Sequence, residues 1–234
     1  MKRRAIHSIP VAVFVLCSGF AFSADQPAPK KVACVGDSIT YGMTIKDRVK
    51  DCYPAQLALA LGEKWSVQNF GVNKATLLKK GDYPYWSFEQ YKAALEFQPD
   101  LVIIMLGTND SKPENWKNKD KFVPNYIELI DSFQQLESQP TVWICYPVPA
   151  YPGRWGITDK VIKEEVMPLI DEAAVKTNVK VIDLHEALSG QQEMFPDAVH
   201  PNPAGAKMIA ETISAIITGN EPQRAEEENT PDNK

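Results

Sequence analysis

Residues 31–40 read KVACVGDSIT. The first five are mostly apolar, which predicts a short buried strand that ends at Gly36. Ser38 follows two residues later, where a tight turn exposes its hydroxyl at the carboxyl end of the strand. This signal is weak by itself, because a serine that begins a helix is usually only an N-cap.

Four further apolar runs follow along the chain, separated by segments with helical spacing. The run 101–106 is apolar at every position, which is typical of a strand buried on both faces. The predicted strands are 31–35, 65–70, 101–106, 141–146 and 179–184. The predicted helices are 53–61, 86–97, 122–136, 158–176 and 203–217, the last with Asn202 as N-cap. This alternation predicts one α/β domain with a five-stranded parallel sheet between helical layers.

Polar residues cluster where the predicted strands end. Residues 69–71 (Asn-Phe-Gly) close the second strand, residues 107–110 (Gly-Thr-Asn-Asp) follow the third, and residues 197–200 (Asp-Ala-Val-His) precede the last helix. Ligands of parallel α/β sheets bind beyond the carboxyl ends of the strands. We therefore expect these loops to share one edge of the sheet with Ser38.

Histidine is scarce, so each copy is informative. His7 lies in a segment that we expect to be removed, which leaves His185 and His200. His200 follows Asp197 closely enough for one loop to present both side chains, with the carboxylate on one ring nitrogen and the nucleophile on the other. We interpret Ser38 as that nucleophile, because a serine hydroxyl needs such a base. His185 is interpreted as a structural residue.

Acyl transfer also needs hydrogen-bond donors aimed at the developing oxyanion. The backbone N–H groups of Ser38 and Gly71 and the side-chain amide of Asn109 are the candidates. Read individually, Gly71 is also compatible with a simple turn, and Asn109 with a loop residue that bonds its own backbone.

These four blocks together resemble the SGNH (GDSL-like) hydrolase superfamily, whose name letters fall here on Ser38, Gly71, Asn109 and His200. The G-x-S-x-G turn of α/β-hydrolases is absent, since Thr40 stands at its second glycine position. The resemblance implies a flavodoxin-like three-layer α/β/α sandwich. It also implies an ester hydrolase without metal or cofactor, which works through an acyl-enzyme on Ser38.

In that scheme Asp197 orients His200, and Ser38, Gly71 and Asn109 hold the oxyanion. Asp37 and Asp110 are expected to support the loops that carry these groups.

Aromatic residues on the expected loops indicate a sugar substrate, because their faces suit the C–H groups of sugar rings. The predicted substrate contacts are Tyr85, Trp116, Tyr146, Arg154 and Trp155. Residues 81–86, 112–116 and 155–157 together resemble secreted carbohydrate O-acetylesterases of this superfamily, such as sialate O-acetylesterase. We therefore expect small acyl groups, mainly acetyl, to be removed from a small-molecule or oligosaccharide ester. A lysophospholipase, a thioesterase or a broad short-chain esterase is the alternative within the superfamily.

Two alternatives belong to other classes. A metal-dependent phosphoesterase uses Asp, Asn and His, but a dinuclear site is hard to build with two histidines. A non-catalytic sugar-binding protein is disfavoured because no member of the catalytic set is missing.

The first 24 residues predict a signal peptide. Residues 2–4 are basic, residues 11–17 are apolar, and small residues cluster near Ala24. The apolar run is too short to span a bilayer comfortably, so we expect a secreted or periplasmic protein without stable membrane insertion after processing. The hydrolase domain then covers 25–220, and the polar, acidic segment 221–234 is predicted to be a disordered tail.

The formal net charge is −5, and loss of the basic leader makes the chain more acidic. Nucleic-acid binding is disfavoured, because phosphate contacts need clustered Lys and Arg. Three cysteines remain after processing, at positions 34, 52 and 145, an odd number that leaves at least one without an intramolecular partner. The sequence does not specify an oligomeric state.

Overall fold

The computed structural model of the chain describes residues 27–152 and 154–219, which excludes the predicted signal peptide and tail. Five parallel strands form its sheet: β1 (Lys30–Gly36), β2 (Trp65–Gly71), β3 (Leu101–Met105), β4 (Thr141–Cys145) and β5 (Lys180–Ile182). Their spatial order is β2-β1-β3-β4-β5. This is the flavodoxin-like order, so the predicted fold class is confirmed.

Helices follow the strands in the predicted alternation. They are α1 (Ser38–Tyr41), α2 (Arg48–Asp51), α3 (Tyr53–Leu61), α4 (Glu89–Glu96), α5 (Pro113–Trp116), α6 (Phe122–Gln134), α7 (Asp159–Val161), α8 (Met167–Thr177), α9 (Leu184–Ala187) and α10 (Pro203–Thr218). A π-helical segment, Ile162–Val166, joins α7 to α8. Single 3-10 turns occupy Tyr85–Ser87, Lys119–Lys121 and Gln192–Met194.

The alternation of side chains along the strands divides the core into two halves. Val32 and Cys34 of β1 face the half that also contains buried residues of α3 and α10. Ala33 and Val35 face the opposite half, with α4, α6 and α8. Because both faces of the sheet are covered by helices, the central strands are apolar at nearly every position.

Element ends differ from the sequence prediction where side chains cap the backbone. The fifth strand stops at Ile182, because the Asp183 carboxylate accepts a hydrogen bond from the Glu186 N–H at 2.8 Å and begins α9. The N-cap predicted for α10 is confirmed, since Asn202 accepts from the N–H groups of Ala204 and Gly205.

The functional loops leave the sheet at the carboxyl ends of β1 and β3. These two strands are neighbours, and Gly36 of β1 lies opposite Met105 of β3. The chain leaves β1 toward β2 on one side and returns to β3 on the other, which opens a crevice between the two strand ends. A Cβ atom at Gly36 would lie 2.7 Å from the Met105 carbonyl oxygen. Only glycine therefore allows this close approach.

Cys34, Cys52 and Cys145 are buried free thiols. Within residues 27–152 and 154–219, no helix is long and apolar enough to cross a membrane.

Candidate active site

Three side chains from two distant loops form a continuous hydrogen-bonded chain. Ser38 Oγ lies 2.8 Å from His200 Nε2, and His200 Nδ1 lies 2.7 Å from Asp197 Oδ2. Ser38 is 7% exposed, which leaves its hydroxyl accessible from one side only. The arrangement is that of a nucleophile, a base and a carboxylate that orients the base.

Asp197 is held in place by its own loop. Its Oδ1 accepts hydrogen bonds from the backbone N–H groups of Val199 and His200, at 3.1 and 2.8 Å. Burial opposes ionisation of Asp197, but the hydrogen bonds from His200 and Val199 outweigh it and hold the pKa of this carboxyl below its usual range. Ala198 bends the loop in a left-handed conformation, with φ of 74°. Asp197 is therefore set up as an anion beside His200.

Ser38 is presented by a short helix that its neighbour caps. Asp37 accepts a hydrogen bond from the Ile39 N–H at 2.9 Å and begins α1 immediately after β1. Gly42, with φ of 88°, ends the helix only four residues later. The backbone N–H of Ser38 belongs to the first turn of α1, where no intrahelical acceptor exists.

Asn109 reaches the same place from the loop after β3. It lines the cavity in front of Ser38, and its Nδ2 makes only long contacts, 3.2 Å to the Ala75 carbonyl and 3.4 Å to Asp37 Oδ2. Because both contacts are long, they orient the amide group but leave Nδ2 able to donate to a bound ligand. The structure therefore brings Asn109 to the same cavity as Ser38, and its role as an oxyanion donor stays a prediction.

Gly71 is placed differently from the prediction. Its N–H donates to Asn69 Oδ1 at 2.9 Å, and the residue does not line the cavity. A Cβ at Gly71 would meet the Tyr41 nitrogen at 2.2 Å, so this glycine lets β2 pack against α1. The Gly71 N–H is thus not free to hold an oxyanion in this structure.

Lys74 offers a backbone N–H to the cavity, which was not predicted from the sequence. It lines the cavity in a left-handed conformation, with φ of 67°. Its N–H donates no hydrogen bond within the described part of the chain. Lys74 is therefore better placed than Gly71 to offer a backbone N–H.

Two buried carboxyls support the loops, as expected. Asp110 accepts from the N–H groups of Leu77 and Leu78, at 3.0 and 2.8 Å, and ties the loop after β3 to the segment after β2. Burial raises the pKa of Asp110 to about 6, against the effect of these hydrogen bonds. Burial, with the charge of nearby Asp110, raises the pKa of Asp37 to about 7.

The hydrogen-bonded side chains of Ser38 and His200 line a cavity of about 460 Å³. One part of its lining is apolar, with Met43, Trp155, Ile157 and Val199. Another part carries charged side chains, Lys74, Asp82, Lys112 and Glu114. A bound ester would thus meet both an apolar surface and a surface rich in hydrogen-bonding groups.

Residues 34–208 match the sequence profile of the GDSL-like lipase/acylhydrolase family. The chain belongs to this family. The match includes Ser38, Asn109, Asp197 and His200, so it covers the residues that the structure brings together.

The chain is similar to individual proteins of known sequence or structure. An acetylxylan esterase of Xylanibacter ruminicola is 41% identical over 213 residues, which cover 82% of this chain and 44% of that protein. The chain therefore spans less than half of that relative. An aryl esterase of M. smegmatis superposes with a TM-score of 0.67 at 19% identity, covering 81% of this chain and 99% of that one. The carbohydrate acetylesterase Est24 of Sinorhizobium meliloti superposes at 0.63 and 20% identity, covering 82% and 99%.

Of the five predicted substrate contacts, only Trp155 lines the cavity. Its ring is 51% exposed and lies 5.7 Å from the His200 ring between centres. Arg154 lies outside the lining and stacks its guanidinium 4.4 Å from the centre of the Trp155 ring. Trp155 therefore faces the cavity, where its role as a substrate contact stays a prediction, and Arg154 packs against its ring outside the lining.

The other three are a correction to the prediction. Tyr85 is fully buried and donates to the Phe70 carbonyl at 2.9 Å. Trp116 donates to Glu165 and lines a separate depression, and the Tyr146 hydroxyl bonds Asp171. Their ring faces pack the loops down, which is why none of them meets the cavity.

His185 occupies the structural position that was expected. It is 5% exposed, and its Nε2 lies 2.8 Å from Asp159 Oδ1. Asp159 also accepts from the Ala150 N–H, so the pair fastens the segment after β4 to α9.

Proposed function

We propose that this protein is a serine esterase that removes acetyl groups from carbohydrates. The observation that carries the proposal is the hydrogen-bonded chain Ser38–His200–Asp197, which opens onto a small cavity with charged side chains. These three hydrogen-bonded side chains supply an activated nucleophile. The cavity suits the ester of a small acyl group with a polar alcohol.

In the first half of the reaction Ser38 Oγ attacks the acetyl carbonyl carbon while its proton moves to His200 Nε2. Asp197 stabilises the resulting imidazolium. The Ser38 N–H and the Asn109 amide donate to the oxyanion, and the Lys74 N–H is placed to assist. The tetrahedral intermediate then collapses, the bond to the sugar oxygen breaks, and His200 returns the proton to that oxygen.

In the second half, water attacks the acetyl group on Ser38. His200 Nε2 takes a proton from the water, and the same donors hold the second oxyanion. Cleavage of the ester bond to Ser38 Oγ releases acetate, and the proton on His200 returns to the serine.

The lining supports a polar rather than a long alkyl substrate. Lys112 and Asp82 would lose hydration against an aliphatic chain without gaining hydrogen bonds, which is unfavourable. The similarity to an acetylxylan esterase and to a carbohydrate acetylesterase points to the same substrate class.

We further propose that the protein acts outside the cytoplasm, in the periplasm or the medium. The basic residues 2–4, the apolar residues 11–17 and the small residues before position 25 support this. Mass spectrometry of the N-terminus from an exporting host tests it: a mature chain that begins near Asp25 is expected, and an intact Met1 contradicts it.

Hydrolysis of 4-nitrophenyl acetate, butyrate and octanoate, and of acetylated xylo-oligosaccharides, tests the activity. We expect acetate to be preferred and acetylated sugars to be cleaved. The Ser38→Ala variant should lower kcat by about 1,000-fold or more. A preference for octanoate would overturn the carbohydrate assignment and favour a lysophospholipase or thioesterase.

A chelator and a serine-directed phosphonate distinguish this mechanism from a metal-dependent phosphoesterase. We expect activity to survive the chelator and to be lost with the phosphonate. The reverse result contradicts the role of Ser38.

A further inference from the structure

The cavity holds a lysine without a close hydrogen-bond acceptor. Lys112 is 8% exposed, and its Nζ lies 3.8 Å from Asp82 Oδ2. Normal N–H···O bonds are about 2.7–3.2 Å long. Among the described residues Asp82 is the one carboxylate that forms an ion pair with this ammonium group. Because Lys112 lines the cavity, a polar atom of a substrate that enters there can accept a hydrogen bond from Nζ.

Asp82 is fixed in position from the other side. Its Oδ1 accepts from Asn115 Nδ2 at 2.9 Å, and its backbone N–H donates to Asn115 Oδ1 at 2.9 Å. The same Asn115 amide nitrogen donates to the Asn109 carbonyl at 2.9 Å. Oδ2 of Asp82 therefore remains on the side of Lys112, at a position set relative to the oxyanion loop.

Asn73 adds a third polar group to the lining of the same cavity. Its Oδ1 is buried and has no hydrogen-bond partner among the described residues. A buried acceptor without a donor has lost its hydration without compensation, which is unfavourable. The cost is relieved when a donor enters the cavity.

The charges of the lining select the type of ligand. Lys74 and Lys112 carry positive charge, and Asp82 and Glu114 carry negative charge. A carboxylate that approached Lys112 would meet the charge of Asp82. A hydroxyl group, by contrast, accepts from the ammonium and donates to the carboxylate at the same time.

We propose that Lys112, Asp82 and Asn73 form the subsite for the hydroxyl groups of the neutral sugar that leaves with the ester oxygen. One hydroxyl bridges Lys112 Nζ and Asp82 Oδ2, and a second donates to Asn73 Oδ1. These residues determine specificity for a polyol alcohol over an aryl or alkyl alcohol. The assignment of the hydroxyls to the leaving group rests on the proposed deacetylation of sugars.

Competition by a product-like sugar tests the subsite separately from that activity. Xylotriose is added as an inhibitor of 4-nitrophenyl acetate hydrolysis by wild type, Lys112→Met, Asp82→Asn and Lys117→Met. Lys117 is an exposed lysine on the same loop that does not line the cavity, so it is the matched control. We expect the inhibition constant to rise about 10- to 100-fold in the first two variants and to stay unchanged in the third.

The same variants are compared on a monoacetylated methyl xyloside. The ratio of kcat/KM for this substrate to that for 4-nitrophenyl acetate should fall by a similar factor, through KM. An equal loss on both substrates, or unchanged inhibition constants, overturns the subsite. If xylotriose binding depends on Lys112 but no acetylated sugar is cleaved, the subsite is supported and the proposed function is overturned.

Discussion

The indole of Trp155 is tilted by 57° against the imidazole of His200, with 5.7 Å between ring centres. The backbone of Trp155 has φ of 55°, which is unusual for a bulky residue. Its ring lines the cavity. This placement sets an exposed aromatic ring beside the base at the cavity.

Trp155→Ala is expected to lower kcat/KM for acetylated sugars by about tenfold, mainly by raising KM, because the apolar face of a sugar ring loses its partner. Trp155→Phe should retain part of this effect. Steady-state kinetics on acetylated xylo-oligosaccharides check it. Equal kinetics for Ala and wild type would contradict a sugar contact at Trp155.

The two described histidines are expected to behave differently when replaced. His200→Ala removes the group beside Ser38 Oγ and should lower kcat by about 1,000-fold or more. His185→Ala only loosens the contact with Asp159, so it should keep kcat within a few-fold and lower the melting temperature. Turnover of 4-nitrophenyl acetate and thermal unfolding of both variants give the answer. Full activity of His200→Ala would show that another base serves Ser38.

Gly36 and Gly219 form a matched pair for stability. Ala at Gly36 would place its Cβ 2.7 Å from the Met105 carbonyl oxygen, where β1 and β3 meet, and should cost about 2–3 kcal/mol of unfolding free energy. Ala at Gly219, the left-handed residue that ends α10, meets no atom within 4 Å and only adopts an unfavourable φ of 72°, which should cost about 1 kcal/mol. Urea unfolding measures both, and a smaller loss at Gly36 than at Gly219 would argue against the close approach.

Asp37 should make stability depend on pH. Its pKa is raised from 3.8 to about 7 by burial and by Asp110, so the folded protein keeps a proton that the unfolded chain releases. Between about pH 4 and 7 the folded state therefore binds more protons, and the free energy of unfolding falls as the pH rises, on the order of 1 kcal/mol per pH unit.

Asp37→Asn removes this titration. The free energy of unfolding of the variant, relative to that of wild type, should thus increase steadily from pH 4 to 7. A pH-independent change in stability caused by the substitution shifts this difference by a constant and does not alter its slope. Urea unfolding at three pH values within this window measures the difference. A difference that stays constant across the window would show that Asp37 does not titrate there.

The sequence contains most of the information about the backbone of the site. Apolar runs predict five strands in the right places, because a sheet covered on both faces needs continuous apolar segments. Ser38, Asn109, Asp197 and His200 lie beyond the strand ends, where parallel topology gathers loops. The end of β5 was missed because the cap made by Asp183 is a side-chain effect that periodicity does not register.

The direction in which a loop side chain points was not predictable. Tyr85 and Trp116 look like sugar contacts in the sequence, but each finds an internal hydrogen-bond partner and packs inward. Lys112 and Asp82 lie thirty positions apart and meet only because Asn115 joins their loops. Gly71 was misassigned because a glycine needed for close packing and one that offers its N–H look alike in a sequence.

The nucleophile and its base are 162 positions apart in the chain. Ser38 is synthesised early, whereas His200 lies just before α10, the last helix of the described fold. Until that helix has docked, the serine has no base. A chain still emerging from the ribosome therefore has no base beside Ser38, and the nucleophile can be activated only after α10 has packed against the rest of the fold.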